Sequence, residues 1–177
     1  MNHNSKDQNR RSKRLKEFDY STPWWYYVTI CTHNRNNIFG QINYEKMVLN
    51  ELGTIVEEEW LRTEELRKNI ELDYYVIMPN HFHGILIINS RDKARLIPTI
   101  EKREFGKPVA NSLSSIVGLF KSAVTKRINE SRNSPGESVW QHNFYEHIIR
   151  NENDLNNIRK YIEFNPLKWE IDEYYAN

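Results

Sequence analysis

The spacing of apolar side chains along the chain predicts four β-strands. They cover residues 24–32, 70–78, 81–88 and 139–149, which are rich in aromatic and β-branched residues. Only a short Pro-Asn break separates the second strand from the third, so we expect these two to form an antiparallel hairpin. The third strand stays apolar on both faces beyond its histidines, which indicates a central place in a sheet.

Apolar residues at helical spacing predict three helices. The first begins at an Asn43 N-cap and runs to about residue 68, the second covers residues 112–131, and the last covers residues 151–164. The order strand, helix, strand, strand, helix, strand, helix predicts an α+β fold. We expect a ferredoxin-like or RRM-like antiparallel sheet with helices on one face and a C-terminal helix that carries Tyr161.

Composition restricts the class of protein. The chain has 177 residues, of which 38% are hydrophobic and 28% charged, and this predicts one folded domain over residues 18–177. Residues 1–17 are polar and basic, and we expect them to form a flexible arm. No apolar run is long enough to span a membrane and no secretory signal is recognisable, so we expect a cytoplasmic protein. The single cysteine, Cys31, excludes an internal disulfide and a Cys-rich zinc site.

Two histidines open the third predicted strand. Because side chains alternate along a strand, His81 and His83 lie on one face and Phe82 on the other. Two imidazoles at this spacing can hold one divalent metal ion, although two hydrogen-bonded histidines on a sheet would show the same pattern. We expect Gly84 to leave bare backbone beside them, where a ligand could approach.

Tyr161 and Asn165 are the second candidate pair. They are four residues apart on the last predicted helix, so they share one side of it. That side lies next to the apolar stripe and not within it, a position supported by the core and open to a cleft. Half-buried packing is the alternative. We expect Tyr145 to pack in an aromatic strand and Tyr174 and Tyr175 to fray near the C-terminus.

Several short segments follow one another in a characteristic order. They are Met78-Pro79-Asn80-His81-Phe82-His83-Gly84, Trp140-Gln141, Tyr145-Glu146-His147-Ile148-Ile149-Arg150, Tyr161-Ile162 and Asn165-Pro166, preceded by Val28-Thr29-Ile30-Cys31-Thr32, Arg35 and Phe39-Gly40. Over about residues 18–169 this set resembles the HUH single-tyrosine transposases. The likeness is greatest to the branch associated with repetitive extragenic palindromes in bacteria.

The resemblance implies an enzyme that cleaves and rejoins single-stranded DNA near hairpins. It assigns the nucleophile to Tyr161, which would leave a 5′-phosphotyrosine and a free 3′-OH. It assigns the metal ligands to His81, His83 and Asn165, where some relatives have glutamine in place of the asparagine. His147 is an alternative third ligand, and Mg or Mn is the expected ion.

The net charge is only +1, so attraction to DNA would come from local basic clusters. The candidate contacts are Arg11, Arg14, Arg35, Lys121 and Arg150. We expect a monomer or homodimer that is bacterial, cytoplasmic and associated with the nucleoid when in use.

Two other classes of function share part of this pattern. A zinc deaminase would need His-x-Glu together with Pro-Cys-x-x-Cys, and the chain has neither. A catalytically inactive RRM-like protein that binds hairpin DNA or RNA stays open, because RRM sheets share this topology and use aromatic residues for stacking.

Overall fold

The fold is built on one antiparallel sheet. The structure is a computed structural model that describes residues 20–90 and 111–175. In chain order its elements are β1 (Trp24–Cys31), β2 (Gly40–Asn43), β3 (Lys46–Leu49), α1 (Glu51–Glu65), β4 (Ile70–Ile77), β5 (His81–Ile88), α2 (Leu113–Arg132), β6 (Tyr145–Ile148) and α3 (Glu152–Phe164). Short 3₁₀ turns cover His33–Arg35 and Pro166–Ile171.

The order of strands across the main sheet is β4-β5-β1-β6, and each neighbouring pair is antiparallel. This is the ferredoxin-like order, and it confirms the predicted fold class. β5 lies between two partners, as its apolar sequence predicted. The register places His81 opposite Cys31 and His83 opposite Thr29, so the first residues of β5 meet the last residues of β1.

The two faces of the sheet are covered by different helices. α1 and α2 pack together and cover the face that carries Tyr26, Phe82 and Leu86. α3 covers the face that carries Tyr27 and Ile85. No helix in the two described ranges is long and apolar enough to cross a membrane.

The first helix begins later than the sequence predicted. Asn43 is not its N-cap; that role belongs to Asn50, whose side chain accepts hydrogen bonds from the backbone N–H groups of Leu52 and Gly53, both at 3.0 Å. The residues before it form the antiparallel hairpin of β2 and β3. The prediction was wrong because the hairpin turn contains no glycine, so the usual turn signal is absent.

The fourth predicted strand is also shorter than expected. Only Tyr145–Ile148 forms a strand, and Trp140 makes an isolated bridge with Thr32. Between them the Lys121 amine donates to the backbone carbonyls of Gln141 and His142, at 2.7 and 2.9 Å. Those carbonyls are therefore satisfied by a side chain and not by a neighbouring strand.

Candidate active site

The two histidines of β5 lie side by side inside the protein. Their ring centroids are 4.5 Å apart, and both side chains are completely buried. Phe82 points to the opposite face, where it packs against Trp60. Strand alternation therefore produces the arrangement that the His-x-His spacing predicted.

Each imidazole is held through its Nδ1 atom. His83 Nδ1 lies 2.7 Å from the Tyr27 hydroxyl and 2.9 Å from the Thr29 hydroxyl, both on β1. His81 Nδ1 lies 2.8 Å from Asn80 Oδ1. The Asn80 amide nitrogen donates to two backbone carbonyls, so its oxygen is the acceptor and His81 Nδ1 is the donor. A neutral His81 therefore carries its free lone pair on Nε2.

Three buried atoms at this place lack a hydrogen-bond partner among the described residues: His81 Nε2, His83 Nε2 and Asn165 Oδ1. Burial lowers the pKa of His81 to about 4; the charge of Asp172 partly opposes this shift, and so does the hydrogen bond that a protonated His81 ring would donate to Asn165. Burial also holds the pKa of His83 well below its usual value. Both imidazoles are thus neutral at pH 7, which is the form that binds metal ions. The donor set fits a divalent cation.

Within the described residues no cluster of three or more His, Cys, Asp and Glu side chains could hold a metal ion. An ion at this site would therefore depend on the amide oxygen of Asn165 as its third protein ligand. The Asn165 amide nitrogen donates to Asp172 Oδ2 at 2.9 Å, which fixes the orientation of the amide.

Tyr161 lies beside the histidines on α3. Its ring centroid is 5.2 Å from that of His83 and 6.4 Å from that of Tyr27. The side chain is 39% exposed, as its position next to the apolar stripe predicted. Its hydroxyl is 3.5 Å from Asp172 Oδ2. Burial, reinforced by the charge of Asp172, raises the pKa of Tyr161 to about 12.

Tyr174 does not fray, contrary to the prediction. Its ring lies 4.7 Å from His81 and 5.9 Å from His83, and its backbone carbonyl accepts a hydrogen bond from Asn80. The Arg35 guanidinium also lies over this ring, at 5.5 Å from the centroid. These contacts hold the end of the chain against the histidines, so Tyr174 is a second tyrosine at the site.

Three other candidate residues have partners or positions of their own. Lys121 is bound to backbone carbonyls, and Arg150 is exposed two residues before α3. His147 Nε2 lies 2.9 Å from Asp154, so this histidine has a carboxylate partner of its own. Arg11 and Arg14, together with the whole predicted arm of residues 1–17, fall outside the described residues.

The expectation for Gly84 was wrong. A Cβ atom there would lie 2.7 Å from ring atoms of Trp60 and Phe82, so the space beside this glycine is filled by aromatic side chains. Strand alternation puts residue 84 on the same face as Phe82 and opposite to the histidines. The glycine therefore serves the packing of α1 and not the approach of a ligand.

Sequence reasoning missed four residues that shape the site, namely Tyr27, Thr29, Asn80 and Asp172. Tyr27 and Thr29 are both buried, and their hydroxyls hold His83. Their alternation with Tyr26 and Val28 was a usable signal, since it put them on the face opposite the main core. No local pattern marks Asp172, which lies beyond the last helix.

Comparison with known proteins supports this view of the fold. No protein-family model matches the chain. An uncharacterized protein of Haemophilus influenzae is 37% identical over 178 residues, covering 99% of this chain and 98% of its own. A second protein of that organism, named a REP-associated tyrosine transposase, is 43% identical over 94 residues, which are 52% of this chain and 47% of its own length.

One solved structure is that of a REP-associated tyrosine transposase bound to a REP hairpin. It is 18% identical, with a TM-score of 0.56, and the match covers 89% of this chain and 74% of that one. Because the identity is only 18%, this match supports the fold alone. The chain belongs to one family with the Haemophilus influenzae protein that it matches over its whole length, and about half of it is similar to the protein named as a REP-associated tyrosine transposase.

Proposed function

We propose that this protein is a metal-dependent enzyme that cleaves and rejoins single-stranded DNA near hairpins, with Tyr161 as the nucleophile. The observation that carries the proposal is the set of three buried atoms without hydrogen-bond partners among the described residues, His81 Nε2, His83 Nε2 and Asn165 Oδ1. A buried polar atom left unpaired costs about 1–3 kcal/mol. A ligand that binds to all three atoms would supply the missing partners and offset this cost.

The chemistry of the three atoms favours a divalent cation. Two neutral imidazoles and one amide oxygen suit Mn, and Mg is the alternative that prefers oxygen. When bound, such an ion would offset the charge of a DNA phosphate and polarise its phosphorus atom. Asn80, Tyr27 and Thr29 hold the far side of each imidazole, which is the support that metal-binding histidines require.

Tyr161 supplies the group that would be joined to DNA. Its phenol oxygen forms a bond to phosphorus while the bond from phosphorus to the 3′ oxygen breaks, and the departing oxygen takes up a proton. Because the pKa of Tyr161 is raised to about 12, its phenol is protonated at neutral pH and must lose that proton during attack. Asp172 Oδ2, 3.5 Å away, is placed to accept it. The phosphotyrosine conserves the bond energy, so a second 3′-OH can reverse the step.

A solved structure of similar fold supports the proposed substrate class. The solved structure of similar fold is a REP-associated tyrosine transposase bound to a REP hairpin. A hairpin with a single-stranded flank is accordingly the proposed DNA substrate of this chain. The net charge of +1 is consistent with recognition of DNA shape in addition to charge.

The inactive RRM-like alternative has less support. RRM proteins stack bases on the exposed face of their sheet. Here α3 covers that face, since Leu155 and Ile162 pack against Tyr27 and Ile85. The middle of the sheet is therefore covered at the place where the binding-only function would need an open aromatic platform.

Replacement of the two tyrosines at the site tests the proposal. Tyr161→Phe removes one oxygen and keeps the ring, so the folded domain and DNA binding should survive while cleavage of a labelled hairpin oligonucleotide with Mn falls below detection. Tyr174→Phe is the matched control, because that ring also lies within 6 Å of both histidines; it should leave cleavage in place. A denaturing gel and peptide mapping should locate the covalent adduct on Tyr161.

Two results would contradict the proposal. An adduct on Tyr174, or normal cleavage by Tyr161→Phe, would show that another group is the nucleophile. Full cleavage by the wild-type protein in EDTA, or by the double variant His81→Ala with His83→Ala, would show that cleavage does not need a metal ion bound to the histidines.

A further inference from the structure

The hairpin of β2 and β3 forms a two-stranded ribbon outside the main sheet. Its inner face carries Ile42, Met47 and Leu49, which are half-buried; Met47 and Leu49 pack against the core. Its outer face presents a different set of side chains, all exposed: Gln41, Asn43, Lys46 and Val48. The ribbon is thus amphipathic, and one side of it is available to a partner.

The turn of this ribbon adopts a costly backbone conformation. Tyr44 and Glu45 have φ angles of 48° and 62°, the left-handed region that Asn and Gly prefer in two-residue hairpin turns. A bulky residue in that region is uncommon. Tyr44 is also fully exposed, at 100% of its surface. Neither packing nor local geometry explains a tyrosine here, and strain of this kind often marks a functional position.

The ribbon is tied to the loop that leads into the histidines. The backbone N–H groups of Ile38 and Phe39, directly before β2, both donate to the Pro79 carbonyl, at 2.9 and 3.1 Å. On the other side of the ribbon, the N–H of Asn50 donates to the Phe39 carbonyl at 3.0 Å. Pro79 is two residues from His81, so the ribbon has a fixed position relative to the candidate active site.

The outer face carries the side chains that read base edges. Glutamine and asparagine pair bidentately with adenine, lysine with guanine, and an apolar group contacts the thymine methyl. The register puts Asn43 opposite Lys46 and Gln41 opposite Val48, so the four groups form two neighbouring pairs. A two-stranded ribbon fits the major groove of duplex DNA, which is about 12 Å wide. Since Lys46 and Glu45 cancel in charge, the ribbon suits base contacts better than phosphate contacts.

We propose that the outer face of this ribbon reads base pairs in the major groove of the stem of a DNA hairpin. Tyr44, in the turn that joins β2 and β3, contacts the same DNA. This inference rests on the proposed function only in requiring that the protein bind hairpin DNA. It does not depend on cleavage, on the metal or on Tyr161.

The test is a binding experiment with the full chain in EDTA. A pool of DNA hairpins with a randomised stem and a fixed single-stranded flank is selected on the wild-type protein, and affinities are then measured for the preferred stem and its single base-pair variants. We expect Gln41→Ala and Asn43→Ala each to weaken binding of the preferred stem about tenfold and to flatten the dependence on stem sequence. Lys126→Ala is the control, because Lys126 is an exposed lysine on α2. It should leave the affinity and the dependence on stem sequence unchanged.

A second variant separates binding from folding. Tyr44→Asn with Glu45→Gly supplies the residues that the turn geometry prefers, so the unfolding midpoint should rise while affinity for the selected hairpin drops several-fold. A more stable variant with unchanged affinity would overturn the role of Tyr44 in binding DNA.

The remaining outcomes are also distinct. Hairpin binding that ignores the stem sequence, or the same preference in the ribbon variants and the wild type, would overturn this inference and leave the proposed function intact. No binding to any hairpin would refute both. A dimer that forms without DNA and is lost in the ribbon variants would show that the ribbon binds a second copy of the chain.

Discussion

The two faces of the central sheet use burial for opposite purposes. On the face covered by α1 and α2, Trp60 packs against Phe82 and Phe120, with centroids 4.6 and 5.3 Å apart. On the face covered by α3, the apolar cluster is smaller and borders two completely buried histidines. The first face provides the apolar burial that stabilises the domain. The second brings the unpaired atoms of two imidazoles and one amide together at one place, as a preorganised binding site requires.

A single strand contributes to both faces. In β5, Phe82 and Leu86 point into the larger core, while His83 and Ile85 point toward α3. The rigid packing on one side therefore fixes the backbone that positions the imidazoles on the other. This arrangement predicts that substitutions on the two faces separate stability from metal binding, and three predictions test that separation.

The largest effect is expected from the larger core. Trp60→Ala removes a side chain with 0% exposure and should lower the free energy of unfolding by about 3–5 kcal/mol. His83→Ala on the opposite face should lower it by less, about 1–2 kcal/mol, because the imidazole is smaller than the indole and leaves a smaller cavity. The Tyr27 and Thr29 hydroxyls, 3.2 Å apart, keep each other as partners. Urea unfolding in EDTA measures both. Equal losses for the two variants would contradict the comparison.

A smaller effect is expected from pH, and only on the histidine face. In the metal-free protein the pKa of His81 is about 4, against 6.5 for an ordinary histidine, because burial disfavours the charged form. Between these values the unfolded chain binds more protons than the folded one. Stability should therefore be greatest above pH 6.5 and fall as the pH is lowered toward 4. Urea midpoints across this range measure the slope.

The controls for the pH effect are two histidine variants. His81→Ala with His83→Ala should flatten the slope, because the buried titrating groups are gone. His142→Gln replaces an exposed histidine and should keep the wild-type slope. A slope that persists in the double variant would mean that carboxyl groups, and not these histidines, cause the acid sensitivity.

The sequence predicted the parts of this molecule that depend on local spacing. Alternation placed His81 and His83 on one face, and helical spacing placed Tyr161 beside Asn165. The parts that depend on tertiary contact were not predictable in this way. Register decides that Thr29 faces His83, and the path of the chain beyond α3 brings Tyr174 against His81. The β2–β3 hairpin escaped prediction because its turn lacks the residues that favour such a conformation.

The smallest effect is expected from two neighbouring tyrosines on β1 that lie on opposite faces. The Tyr27 hydroxyl is 2.7 Å from His83 Nδ1, and the Tyr26 hydroxyl donates to the Thr22 carbonyl at 2.8 Å. Tyr26→Phe removes the hydrogen bond to the Thr22 carbonyl, and Tyr27→Phe removes the hydrogen bonds with His83 Nδ1 and with the Thr29 hydroxyl, so each substitution should cost about 1–2 kcal/mol of stability. Only Tyr27→Phe removes a group that orients a proposed metal ligand, so it should weaken Mn binding about tenfold.

The two variants are matched in chemistry, in strand and in expected loss of stability. Titration of Mn into each metal-free protein by calorimetry gives the affinities, and thermal unfolding in EDTA gives the stabilities. Thr29 still holds His83 at 2.9 Å in Tyr27→Phe, so the affinity should fall and not vanish. If Tyr26→Phe weakened Mn binding as much as Tyr27→Phe, the effect would come from general loosening of β1, and the hydroxyl of Tyr27 would have no specific part in positioning the imidazole.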